Sequence, residues 1–128
     1  MTDLSNAPYK LTWWQAPLPP LYAKEPGGVI LRITYRFWKA HNYNSGTSFT
    51  SYTEVKIYAQ ASEHFNGRKR AVQHRLCTLD FDGKITRETA EPFVLPLLDI
   101  VAIRFALTVR RADWWGRGGW RKGLHERE

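Results

Sequence analysis

Arg32, Arg36, Lys56, Arg75, Arg104 and Arg110 fall in stretches that also carry Trp38, Tyr52 and Tyr58. Interleaved rings and cations suit single-stranded nucleic acid. Bases stack on the rings, at roughly 1–3 kcal/mol each, while cations follow the phosphates. The same residue types are also common on solvated sheet faces, where long cationic stems lie along neighbouring rings. Near the C-terminus, Arg117-Gly118-Gly119-Trp120-Arg121-Lys122 reads as one arginine–glycine repeat with an added tryptophan. Glycine lets a backbone follow a ligand and arginine grips phosphate with two hydrogen bonds, so Arg117 and Arg121 join the candidate nucleic-acid set. Trp13, Trp14, Trp114, Trp115 and Trp120 form a different set. A large apolar side chain left in water costs about 1.5–3 kcal/mol. These tryptophans are therefore expected to close the end of a sheet or to meet a neighbouring subunit.

Other chemistry is poorly provided for. Asp80-Phe81-Asp82-Gly83 resembles the middle of a calcium loop, but the first and twelfth ligand positions then fall on Thr78 and Thr89. His41, His64, His74 and His125 show no metal-ligand spacing. Ser45-Gly46 lacks the flanks of a nucleophile elbow, and Gly27-Gly28 precedes a strand rather than a helix. Cys77 falls mid-strand, where a buried, inert thiol is expected. The single cysteine excludes an intrachain disulfide. No cofactor and no metal are implied, which weighs against an enzyme.

These residues sit in period-two patterns, which place successive side chains on opposite faces of a sheet. Val29, Leu31, Ile33, Tyr35 and Phe37 alternate with Ile30, Arg32, Thr34, Arg36 and Trp38, predicting a strand over about 29–39. A loop over 41–48 and a strand over about 49–64 follow. In that strand Val55, Ile57, Ala59 and Ala61 oppose Tyr52, Glu54, Lys56, Tyr58 and Gln60. Asn66-Gly67 predicts a two-residue hairpin turn, because both residues tolerate positive φ. That loop pairs Tyr58 with Arg75, Ile57 with Leu76 and Ala61 with Val72, and brings His74 to the inner face near Ala59. Asp82-Gly83 predicts a second hairpin returning through Ile85. Pro92 and Pro96 argue against a helix over 86–98, apart from a short turn at 87–91. Val101, Ile103, Phe105, Leu107 and Val109 alternate with Ala102, Arg104, Ala106, Thr108 and Arg110, predicting a final strand over about 99–111.

The expected fold is all-β: one antiparallel domain of five to six strands, closed as a sandwich or small barrel, or packed sheet against sheet in a dimer. Residues 1–27 form an extended proline- and tryptophan-bearing arm, 28–112 the β domain, and 113–128 a basic aromatic tail. The chain has 128 residues and a formal net charge of +7, which favours polyanionic partners. No signal peptide and no transmembrane helix are visible, so a cytoplasmic, intracellular or virion location is expected. Three functions fit. The first is a non-catalytic protein binding single-stranded nucleic acid through a basic, aromatic sheet face. The second is a homo-oligomeric structural or assembly protein, for instance a virion component, joined by its aromatic arms. The third is a small barrel around an apolar ligand.

Overall fold

Asn66-Gly67 turns the chain with φ of +51° at Asn66 and +76° at Gly67, the two positive values a tight hairpin requires. It joins β3 (Ser48–Phe65) to β4 (Arg68–Asp82). Three more strands complete the sheet: β1 (Tyr9–Trp13), β2 (Val29–Asn42) and β5 (Val109–Trp115). A computed structural model describes residues 8–42 and 48–115 and gives the order β1-β4-β3-β2-β5. β1, β2, β3 and β4 pair antiparallel, but β5 lies parallel to β2. The chain is thus mostly strand, in one mixed sheet rather than a purely antiparallel one. β1 and β5 occupy opposite edges, so the described strands make an open sheet, not a closed barrel.

The hairpin register holds near the turn and then breaks. Ala61 pairs with Val72, Ala59 with His74 and Tyr58 with Arg75, as the two-residue loop demands. Ile57 then pairs with Cys77 instead of Leu76, because a bulge inserts Leu76 into β4. The shift moves every later β4 residue to the other face. Leu79 and Phe81 thereby turn inward, opposite Val55 and Thr53.

The largest departure is α1 (Arg87–Arg104), an 18-residue helix where a proline-broken segment and a strand were expected. Thr86 caps it, its hydroxyl accepting from the Thr89 N–H at 3.2 Å. Ala90, Val94, Leu97 and Val101 are buried at helical spacing. Pro92 and Pro96 are exposed and four residues apart, on the solvent side. The Glu88 and Pro92 carbonyls that they leave without helical donors lie on that side. An interior proline costs about 3 kcal/mol, and burial of Val94, Leu97 and Val101 offsets it at about 1.5–3 kcal/mol each. The helix ends around Ala106, whose φ is +53°. There Leu107 N–H donates to the Ala102 carbonyl at 2.9 Å and Ala106 N–H to the Ile103 carbonyl at 3.2 Å. The alternation over 101–109 is therefore shared between a helix end and its cap, and β5 begins at Val109. Asp82-Gly83 likewise leads into α1 and not into a hairpin. Thr53 fastens that link, donating to the Gly83 carbonyl at 2.8 Å and accepting from Ile85 N–H at 3.0 Å.

The core lies between α1 and one face of the sheet. Val29, Leu31 and Ile33, Val55, Ile57 and Ala59, and Leu76 and Leu79 meet the helix residues in one buried cluster. A 3₁₀ helix, Pro20–Lys24, crosses the same face and adds Tyr22. No described helix is long and apolar enough to cross a membrane.

Candidate functional site

The opposite face of the sheet carries no described helix. Directly paired residues share a face, so the register defines it. Its rows are Trp38–Tyr52–Asp82, Arg36–Glu54–Asp80–Lys10, Thr34–Lys56–Thr78–Thr12 and Asp113–Arg32–Tyr58–Arg75. Arg36, Trp38, Lys56, Tyr58 and Arg75 are brought together here, as their alternation requires.

Their surroundings are less basic than expected. Arg32 is fully buried. Its Nη1 pairs with Asp113 Oδ2 at 2.9 Å and its Nε donates to Gln60 Oε1 at 3.1 Å. Asp113 also receives Arg111 at 3.3 Å. The Arg36 guanidinium lies 3.6 Å from the Trp38 ring centroid, and Trp38 stacks on Tyr52 at 6.4 Å and 17°. Trp38 Nε1 donates to Glu54 Oε1 at 3.0 Å, and Lys56 Nζ approaches the same oxygen at 3.3 Å. On β4, Arg75 lies 4.4 Å from the Trp14 ring centroid. The Trp14 backbone is fixed there, its main-chain N–H donating to the Leu76 carbonyl at 2.9 Å.

Carboxylates are interleaved with these cations. Glu54 and Asp80 are direct cross-strand partners. Burial pushes the Asp80 carboxyl above its ordinary pKa; neighbouring Glu54 adds to the rise, and Lys10 and Lys56 oppose it. Burial also raises the Tyr52 hydroxyl. Among the described residues, buried Arg36 Nε, Arg75 Nε and Asp80 Oδ1 have no hydrogen-bond partner, and all three belong to this face.

The remaining expected site residues lie elsewhere. Arg104 ends α1 on the core side, 4.5 Å from the Trp13 ring, and is not on the open face. At the start of β5 the register shifts, so Arg111 rather than Arg110 pairs with Ile30 on the open face; Arg110 is exposed. Trp114, expected in a departing tail, is buried in the core with Arg87 4.9 Å from its ring. Trp13 packs on the core from β1, while Trp14 is exposed. Trp115 ends β5; its side chain, Trp120, Arg117 and Arg121 lie outside what the structure describes.

Cys77 is buried in the core, and burial pushes its thiol up to about 12, with Arg104 pulling the other way. His74 is on the inner face, edge-on to Tyr22 at 5.9 Å. Among the described residues, no three His, Cys, Asp or Glu side chains converge as a metal site. Comparison of the chain with protein-family models, with curated proteins and with solved structures gives no match.

Proposed function

We propose that the protein is a non-catalytic binding protein whose open sheet face docks a second copy of the chain, as a unit of a homo-oligomeric assembly. The observation that supports this reading is the mixed charge of that face: Arg36, Lys56 and Arg75 interleave with Glu54 and Asp80 around the Trp38–Tyr52 stack. A ligand complementary to such a face must offer both charges together. A polyphosphate backbone offers negative charge alone, whereas a second copy offers both. Two copies related by a two-fold axis set the cations of each against the carboxylates of the other. Such a pair is a sheet-on-sheet sandwich, with the aromatic side chains Trp38 and Trp14 at opposite ends of the face.

Light scattering on size-separated protein over a dilution series tests the reading. A dimer or defined higher oligomer is expected. Asp80→Arg replaces a carboxylate between Lys10 and Lys56 with a further cation and weakens association at least about tenfold. A monomer at every concentration overturns the proposal.

Single-stranded nucleic acid on the same face is the second reading. It is favoured by the Arg36–Trp38–Tyr52 stack and by the net charge of +7. A single-stranded oligonucleotide added to the same experiment separates the two. Mass gained with oligonucleotide and lost in salt supports the second reading; an oligomer indifferent to oligonucleotide supports the first.

A further inference from the structure

The β3–β4 ribbon outruns its neighbours. β2 pairs with β3 only as far as Gln60, and β1 leaves β4 at Cys77, with one further bond at Leu76. Ser62 N–H is still held by Glu25 Oε2 at 2.9 Å. Beyond it the pairs Glu63–Arg70, His64–Lys69 and Phe65–Arg68 belong to the ribbon alone. Arg68, Lys69 and Arg70 are consecutive and exposed. Alternation puts Lys69 on one face of the ribbon and Arg68 and Arg70 on the other. Glu63 pairs with Arg70, and among the described residues no carboxylate lies within ion-pair distance of Arg68 or Lys69.

We infer that this ribbon tip enters the major groove of double-stranded DNA. Cations on both faces of a narrow ribbon match a ligand with negative walls on both sides. A groove flanked by two phosphate strands is such a ligand. A flat anionic membrane meets one face, and a lone strand supplies one wall. The major groove of B-form DNA, about 12 Å wide and 8.5 Å deep, admits a two-stranded ribbon. Three residues at about 3.4 Å each give the ribbon a reach of about 10 Å, enough to approach the floor. The A-form major groove is too narrow for side chains to read, which makes DNA the duplex of choice. The small Asn66-Gly67 turn leads and leaves the flanks to the cations.

The experiment is fluorescence anisotropy of the full chain with a labelled DNA duplex across a salt series. The parent is expected to bind with a log Kd that rises linearly with log salt. Removing each phosphate contact lowers that slope by about 0.9, so Arg68→Ala with Lys69→Ala makes it shallower by about two. Both residues are exposed and outside the core, so thermal melting should not change. Equal slopes for parent and variant overturn the inference. So does tighter binding to a single strand, to duplex RNA or to anionic vesicles than to duplex DNA. The sheet-face proposal is read separately, from the mass of the protein without DNA.

Discussion

Arg32 shows how much a single side chain can determine. A guanidinium taken fully out of water on the non-helical face is tolerated because Asp113 and Gln60 meet it. Removing one partner of such a pair leaves a buried charge and costs about 3–5 kcal/mol. Arg32→Ala removes the buried partner of Asp113, leaves Gln60 without its guanidinium donor, and is expected to lower stability by about 3 kcal/mol in a denaturant titration. Asp80 works in the opposite sense. A carboxyl whose pKa in the fold lies above the ordinary 3.8 supports folding below that pH, and the support is lost as pH rises through the raised value. Asp80→Asn is therefore expected to raise the Tm at neutral pH, with the gain vanishing below pH 3.8. A gain independent of pH would contradict this. Alternation placed Arg32 on the outward face correctly, but not its burial. That depends on Asp113, 81 residues away in sequence, and nothing local links the two.

The elements were legible where local chemistry and packing agree. β2 and β3 have clean alternation, and Asn66-Gly67 has one favoured geometry, so strands and turn follow from residue types. β4 was legible only up to Leu76, since a bulge has no distinct sequence signal here and a one-residue shift exchanges the faces. An unbulged register points Asp80 inward. The acidic component of the open face was hidden for that reason. The helix was missed because Pro92 and Pro96 speak loudly, while Ala90, Val94, Leu97 and Val101 speak only together. Its terminator was missed because the left-handed position holds Ala106, not glycine. That position gives a prediction. A left-handed alanine costs about 1–2 kcal/mol that glycine avoids. Ala106→Gly is expected to stabilise the protein by about 1 kcal/mol, seen as a higher Tm. A lower Tm would show that the cap is not formed as described.

At the scale of the molecule, two of its surfaces differ in character. The open sheet face mixes charges of both signs around stacked rings, and the β3–β4 tip concentrates one sign. The proposed association through the face and the inferred groove contact of the tip are compatible, since the tip projects beyond β1 and β2. Were both to hold, assembly would multiply the number of tips presented to one duplex, and linked weak contacts bind far more tightly than single ones.

β5 enters the sheet beside β2 although the whole of β3, β4 and α1 intervenes in the chain. A pairing so distant in sequence closes late. During synthesis, β2 leaves the ribosome with Arg32 before the counter-ion on Asp113 exists. The nascent sheet therefore lacks the Arg32–Asp113 ion pair until β5 docks. Asp113 acts as a clasp, fastened when β5 joins the sheet. Its contribution belongs to the descent from the folding barrier, so Asp113→Ala is expected to speed unfolding and leave the folding rate nearly unchanged. Stopped-flow kinetics read both limbs, and a slowed folding limb would show that β5 is already docked at the barrier.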